Sequence, residues 1–204
     1  MPTRIDPEMP RPVPAALWQA RGTLALALAL VGKRLVRRLP DGGLLARRIT
    51  EVEAYDGERD KACHAARGRT PRSETLYGAG GIWYVFLCYG VHEMLNLVVG
   101  PEGWPAAILI RGLDGIEGPG RLTRALQIGR VLNGCPATAA SGLWIEDDGL
   151  VIPRRRIIAS PRIGIDYAGP VWAAKPWRFR IEAAELRRLS ADDRRPGSPR
   201  RSPP

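Results

Sequence analysis

The chain has 204 residues, 45% of them hydrophobic, and a formal net charge of +10 at pH 7. This length and apolar content are typical of one globular domain with its own core, and they exclude a wholly disordered chain. The positive charge predicts attraction to polyanions, most commonly nucleic acid, although a biased genomic base composition would also enrich arginine.

The chain contains three cysteines, Cys63, Cys88 and Cys135, and two histidines. No two cysteines have the spacing of a metal site, and an odd number does not suit a disulfide framework. We therefore expect a reducing, cytoplasmic setting with neither a metal ion nor another cofactor. The apolar run at residues 24–31 is far shorter than the roughly 20 residues of a membrane span, so no membrane partner is expected.

The N-terminal half is predicted to contain one helix and several strands. Residues 1–14, which are rich in proline, are expected to form a disordered arm, and residues 15–31 a helix interrupted at Gly22. Strands are expected at residues 33–38 and 44–55, joined by a turn at 40–43, and again at residues 81–89, 91–99 and 106–113. The polar stretch at residues 56–80 is long for a loop in a compact domain, and loops of that length are usually either functional or disordered.

The C-terminal half is predicted to consist mainly of short strands. A helix is expected at residues 122–128, and strands at residues 143–146, 150–152, 162–165 and 178–181. Residues 191–204 are expected to be a disordered basic tail, which leaves residues 15–190 as a single domain. The predicted fold class is α+β, with a curved, largely antiparallel sheet, a protruding β-hairpin and peripheral helices.

The strand at residues 44–55 ends in an acidic pattern. Glu51, Glu53 and Tyr55 share one face, whereas Val52 and Ala54 lie on the other. Either the acidic face is buried, which would place a carboxylate inside a basic protein, or it is the solvated face of an edge strand. Half-solvated strands are common, so the pattern alone favours the second interpretation.

The hairpin at residues 81–99 carries aromatic side chains on one face and at its tip. Tyr84 and Phe86 share a face, and Tyr89 falls at the tip beside Gly90. An aromatic residue at an exposed tip would be useful as a wedge between stacked nucleic-acid bases. The alternative, in which Tyr89 folds back onto the domain, fits the pattern equally well.

Seven motifs, in order along residues 16–182, resemble the bacterial type of the alkyladenine (3-methyladenine) DNA glycosylase family. They are ITEVEAY at residues 49–55, CHAARGRTPR at 63–72, WYVFLCYG at 83–90 with Asn96, LIR at 109–111, GPGRL at 118–122, RIGI at 162–165 and KPWRF at 175–179. No single motif is specific, but the ordered set is. The resemblance favours the buried interpretation of Glu53.

The resemblance implies a monofunctional hydrolase of base-excision repair that acts on double-stranded DNA containing damaged purines; a monomer is expected. It would flip an alkylated or deaminated purine out of the duplex and hydrolyse its N-glycosidic bond. Glu53 would be the base that activates water, and Arg111 would hold that water and keep Glu53 ionised. The other implied site residues are Tyr55, His64, Phe86, Asn96 and Leu109 around the base, Tyr89 as the intercalating wedge, and Arg69, Arg72, Gly90 and Arg121 on the DNA backbone. Arg162 is left between a solvated position and a phosphate contact.

Several departures from the family pattern accompany the resemblance. Phe86 stands where tyrosine is frequent, Ser73 where asparagine is usual, and Glu93 with Met94 where bulkier residues are found. These departures leave the lesion preference open. They also keep a second hypothesis in play, a non-catalytic protein of the same fold that recognises DNA damage or DNA structure without turnover.

Overall fold

The computed structural model describes residues 10–20 and 22–193, which form an α+β domain, as the sequence predicts. The strands are β1 Arg11–Pro12, β2 Arg34–Arg38, β3 Leu44–Asp56, β4 Trp83–Cys88, β5 His92–Val99, β6 Ala106–Leu113, β7 Ile116–Glu117, β8 Leu143–Asp147, β9 Ile158–Ser160 and β10 Arg178–Arg180. The helices are α1 Ala15–Trp18, α2 Thr23–Leu30, α3 Pro119–Ala125, α4 Pro170–Ala173 and α5 Ala183–Asp193. Within this part of the chain no helix is long and apolar enough to cross a membrane.

The strands form one open sheet in which neighbouring strands are antiparallel. Seven strands follow the order β1-β8-β2-β3-β6-β5-β4, and β10 pairs with the second half of β3 and with β9. Val52, Leu97 and Ile108 of the sheet belong to the main hydrophobic cluster, together with Leu30 of α2 and Leu122 of α3. Burial of this apolar surface holds the helices against one face of the sheet. Because side chains alternate along a strand, the acidic residues of β3 lie on the opposite face.

Strands β3 and β6 each carry one extra residue at neighbouring positions. The register shifts twice between Ile49 and Val52 of β3: first Thr50, and then Arg111 of β6, is left without a Cα partner. The two insertions cancel, so the ladder continues beyond them in its original register. Such β-bulges re-aim side chains and are frequent beside active sites.

Two of the predicted strands are wrong. Residues 150–152 are irregular, because they run between Gly149, at a φ of 85°, and Pro153, which has no N–H to donate to a ladder. Residues 162–165 form a bend with Gly164 at a φ of 74°. The interruption of the first helix at Gly22 is confirmed, since this residue has a φ of 110° and precedes α2.

Both terminal segments that were expected to be disordered are described in part. Arg11 and Pro12 form β1 beside β8, and residues 191–193 complete α5, whose Leu186 is fully buried. Residues 1–9 and 194–204 lie outside the described residues. Neither α5 nor the three-residue strand β9 is predicted from the sequence, because α5 is mostly polar and β9 is very short.

Candidate active site

Glu53 lies within a row of residues that crosses five strands. Successive Cα partners are Tyr84 on β4, Asn96 on β5, Leu109 on β6, Glu53 on β3 and Arg178 on β10. Residues directly opposite one another point to the same face of a sheet, with Cβ atoms about 5 Å apart. The side chains of Asn96 and Leu109, both predicted to touch a bound base, therefore line the same face as Glu53.

The side chain of Glu53 is fully buried, so the interpretation of this strand as a solvated edge is wrong. Its Oε1 accepts a hydrogen bond from the backbone N–H of Ile163 at 2.8 Å, and its Oε2 accepts one from the Tyr55 hydroxyl at 2.8 Å. Burial raises the pKa of Glu53, and Arg111 is the foremost of the groups that oppose this rise. A carboxylate with a raised pKa is a stronger base once ionised, which suits proton abstraction from water.

Arg111 contacts both carboxylates of the acidic face. Its Nη1 lies 3.4 Å from Glu53 Oε1, and its Nε donates to Glu51 Oε1 at 3.1 Å. Glu51 also accepts a hydrogen bond from Arg178 Nη1 at 3.2 Å. The predicted contact between Arg111 and Glu53 is therefore confirmed. Arg111 lowers the pKa of Glu53, as predicted, but burial outweighs it.

His64, Tyr84 and Phe86 form an aromatic wall. The ring centroids of His64 and Phe86 are 4.5 Å apart, and those of Tyr84 and Phe86 are 5.2 Å apart. The Tyr84 hydroxyl donates to the Arg72 carbonyl at 3.0 Å and lies 2.9 Å from His64 Nδ1. The Tyr84 hydroxyl has one proton, which it donates to the Arg72 carbonyl, so His64 Nδ1 is the donor in the hydrogen bond between His64 and Tyr84. Nε2 of the neutral ring therefore carries no proton. Burial lowers the pKa of His64 to about 4, so the ring is neutral at pH 7.

Tyr55 packs against the same apolar cluster as the aromatic wall. The cluster includes Cys63 and Tyr84, and both Tyr55 and Phe86 lie against it. The hydroxyl of Tyr55 is bound to Glu53, which fixes the ring beside the carboxylate. The structure thus brings the three residues predicted to sandwich a base into one neighbourhood.

Asn96 and Leu109 complete this face of the sheet. Asn96 Nδ2 donates to the carbonyl oxygens of Tyr84 at 3.2 Å and Met94 at 3.3 Å, so its side chain has a fixed orientation. Leu109 is 6% exposed and lies directly opposite Glu53. Both side chains lie in the row of Glu53, Leu109 beside it and Asn96 on the next strand.

Tyr89 projects from the tip of the hairpin formed by β4 and β5. Its side chain is 89% exposed and its φ is 51°, so it does not fold back onto the domain. Helix α3 braces the hairpin, because the Thr123 hydroxyl donates to the Glu93 carbonyl at 2.9 Å. The His92 ring also packs closely on α3: a Cβ on Gly120 would lie 2.8 Å from His92 Nδ1.

The four residues predicted to contact the DNA backbone occupy different settings. Arg69 forms two hydrogen bonds with Glu74, at 2.8 and 2.6 Å. Arg72 lies over an aromatic ring of the wall, with its guanidinium carbon 5.3 Å from the Phe86 centroid. Arg121 and Gly90 are exposed, the first in α3 and the second at the hairpin tip. Of these four residues, Arg121 and Gly90 are therefore the two that face solvent without an ion pair or ring contact in the described part of the chain.

Ser73, one of the residues that depart from the family pattern, forms hydrogen bonds within the long loop after β3. Ser73 is fully buried, its Oγ accepts the Thr70 N–H at 2.9 Å, and it donates to the Gly68 carbonyl at 3.0 Å. The shorter serine side chain thus keeps this turn hydrogen-bonded. Among the described residues, no three His, Cys, Asp or Glu side chains come together to hold a metal ion.

Sequence reasoning missed two features beside Glu53. One is the Ile163 N–H that binds its carboxylate; the other is the ion pair of Arg162 and Asp60, whose side chains are both 0% exposed. Neither the solvated position nor the phosphate contact considered for Arg162 is correct. The RIGI motif identifies this segment as part of the family pattern, but it gives no sign that Arg162 pairs with Asp60, which lies 102 residues away.

A buried carboxylate bridged to an arginine, beside an aromatic wall and on a domain with an exposed aromatic hairpin tip, defines a candidate hydrolytic centre. The family model of methylpurine-DNA glycosylase matches residues 17–117 and 114–185. The chain belongs to this family.

Similar proteins from bacteria and an archaeon carry the provisional name 3-methyladenine DNA glycosylase. One from Psychrobacter cryohalolentis is 45% identical over 192 residues, which covers 80% of this chain and 88% of the relative. One from Methanocella arvoryzae is 45% identical over 179 residues, covering 78% and 87%. One from Myxococcus xanthus is 40% identical over 178 residues, covering 82% and 89%.

Proposed function

We propose that the protein is a DNA glycosylase that releases alkylated purines from double-stranded DNA in base-excision repair, with deaminated purines as the second candidate substrate class. The observation that carries the proposal is the buried carboxylate of Glu53, bound by Tyr55, Ile163 and Arg111 at the edge of an aromatic wall. A buried carboxylate with a raised pKa is costly to stability, and such groups cluster at catalytic sites. Family membership and the names of the relatives agree with this activity.

Recognition begins with extrusion of the damaged base. Unstacking a base costs a few kcal/mol, and the cost is lowest where damage already weakens stacking or pairing. Tyr89, exposed on a braced hairpin, would fill the gap left in the stack. The flipped purine would lie against Tyr55, His64 and Phe86, with Asn96 excluding the exocyclic amino group of normal guanine. Aromatic faces attract cationic bases, and a neutral His64 adds no repulsion.

Hydrolysis then needs little beyond a positioned water. Glu53 takes one proton from the water while the oxygen attacks C1′ of the sugar, and Arg111 holds the water beside the carboxylate. The bond from C1′ to the purine nitrogen breaks, and its electron pair leaves with the base, which becomes neutral if it was cationic. The negative charge of Glu53 also stabilises the positive charge that develops on the sugar.

The proposed partner is damaged duplex DNA, which the protein binds as a monomer. Attraction comes from the net charge of +10, which would make binding weaker at high salt. A cytoplasmic location is proposed from the three cysteines, all free, since free thiols persist in a reducing compartment.

The deciding experiment compares Glu53→Gln with the wild type on methylated duplex DNA. Gln keeps the size of the side chain but is not a base, so single-turnover release should fall by about 10²- to 10⁴-fold. Binding to the same duplex should stay within about threefold, because the DNA-facing residues are unchanged.

Glu51→Gln is the matched control. Glu51 shares Arg111 with Glu53 but is 20% exposed and lacks the Ile163 contact, so its loss of rate should stay below about tenfold. Absence of base release by the wild type would refute the proposal and favour the non-catalytic DNA-binding alternative. Equal losses in the two variants would refute the role given to Glu53.

A further inference from the structure

Asp60 and Arg162 form a fully buried ion pair beside the candidate active site. Arg162 Nη1 lies 2.6 Å from Asp60 Oδ2, and Arg162 Nη2 lies 2.8 Å from Asp60 Oδ1. Both side chains are 0% exposed. The forked geometry fixes the guanidinium in one plane.

This ion pair touches the backbone of the catalytic strand. Arg162 Nη1 also donates to the Ala54 carbonyl at 2.8 Å, and Ala54 stands between Glu53 and Tyr55. The pairing of β10 with β3 does not extend to Ala54, so the carbonyl oxygen of Ala54 accepts its hydrogen bond from a side chain instead of from a strand N–H. The guanidinium carbon lies 4.7 Å from the Tyr55 ring centroid, so the ring is supported on that face.

The other partner orders the loop that leads to His64. Asp60 Oδ2 accepts the Asp56 N–H at 3.2 Å, and Asp60 Oδ1 accepts the Ala62 N–H at 3.1 Å. These bonds close the turn that separates Tyr55 from His64. The distance between the two walls of the proposed base pocket therefore depends on Asp60.

Stability alone does not account for such a pair. Arg162 Nε is buried and has no hydrogen-bond partner in the described part of the chain. Replacing a buried ion pair by apolar residues of similar size is often neutral or stabilising, whereas such pairs do fix a unique arrangement in some proteins. Ile163, whose N–H binds Glu53 Oε1, is the residue after Arg162, so the arrangement that is fixed includes the proposed catalytic base.

We propose that Asp60 and Arg162 are positioning residues for the glycosylase reaction: together they hold Tyr55, the turn before His64 and the Ile163 N–H in register with Glu53. The inference rests on the proposed function. Arg162 touches no reacting atom; it acts through Glu53 and Tyr55. Loosening the pair should slow excision and let Glu53 titrate differently, with little change in DNA affinity.

The direction of the change in titration follows from the groups that face Glu53. Arg111 on β6 and the β3 residues Glu51 and Tyr55 act on it directly. Arg178 on β10 is bound to Glu51, and Arg162, which is paired with Asp60, also interacts with Glu53. The Ile163 N–H is one of the groups that lower the pKa of Glu53. If that N–H moves away, the pKa rises, and the acidic limb of the rate profile moves to higher pH.

The test uses Arg162→Lys, which keeps the positive charge, and Asp60→Asn, which keeps the size of the side chain; both lose the forked ion pair. Single-turnover release from methylated duplex DNA is measured across pH, with duplex affinity and thermal unfolding measured in parallel. Both variants should lose at least about tenfold in rate, with affinity within about threefold. Arg162→Lys, which keeps the positive charge, should also move the acidic limb to higher pH.

Arg48→Lys is the matched control, because Arg48 also forms a forked, partly buried pair, with Asp148, at the other end of β3. It should leave the rate and the pH profile unchanged. Wild-type rate and pH profile in Arg162→Lys would overturn the inference, as would an equal loss of rate in Arg48→Lys. Loss of folded protein in both site variants would assign the pair to stability and also overturn it. Failure of the wild type to release any base would instead refute the proposed function.

Discussion

Acidification should destabilise the protein through His64. The unfolded chain binds a proton at this histidine near pH 6.5, whereas burial lowers the pKa in the folded state to about 4. Between these values the unfolded state holds more protons, so the free energy of unfolding falls as the pH decreases. The full stability is present above pH 6.5 and the loss is complete below pH 4.

The size of this effect follows from the gap between the two pKa values. At 1.36 kcal/mol per pH unit the loss is about 3 kcal/mol, an upper value because the ring keeps some contact with solvent. Protonation would add a proton at Nε2 only, since Nδ1 already donates to the Tyr84 hydroxyl. The free-energy cost of protonation therefore comes first from burying a charged ring and second from its repulsion by Arg72, rather than from a lost hydrogen bond.

Urea denaturation between pH 7 and pH 4 measures the loss, with His64→Asn as the control. The Asn side-chain amide can donate to Tyr84 as Nδ1 does, but it does not titrate. Carboxylates titrate in both proteins, so the difference between the two stability curves isolates His64. That difference should change by about 2–3 kcal/mol over this range. Parallel curves would refute a neutral, buried His64.

Two further substitutions test the hairpin and the loop. Tyr89→Ala should reduce excision from duplex DNA by at least about tenfold and leave base release from single-stranded DNA nearly unchanged, because only a duplex requires a wedge; equal losses on both substrates would contradict this role. Ser73→Ala should destabilise the fold by about 1–3 kcal/mol in urea denaturation, because the partly buried Thr70 N–H loses its acceptor. An unchanged midpoint would show that another group replaces the hydroxyl.

The acidic strand shows what the sequence could and could not predict. The alternation of residues 50–55 placed Glu51, Glu53 and Tyr55 on one face, as observed, but it gave no information on which face is buried. That depends on β6 and β10, which are far along the chain and pair with both edges of β3. The ordered motifs supplied the missing information, because they indicated a known arrangement of distant segments.

Local patterns failed where long-range contacts decide the backbone. Residues 162–165 are apolar enough for a strand, yet the buried pair of Arg162 with Asp60 and the bend at Gly164 decide their conformation. The partners of Arg162 lie in another loop, and periodicity carries no information about them. Helix α5 is not predicted for the opposite reason: its composition is polar, and among residues 183–191 Leu186 is the one fully buried residue.

The paired bulges of β3 and β6 restrict how the chain length can vary near the reaction centre. If Thr50 alone were deleted, every later residue of β3 would change sides: Glu53 would turn toward the packed helices, and Ala54 would take its place. If Arg111 were deleted as well, the ladder would realign, but the carboxylate would lose its cation. Insertions and deletions between Ile49 and Asp56 should therefore not be tolerated, whereas the turn between β2 and β3 can change in length without altering the chemistry.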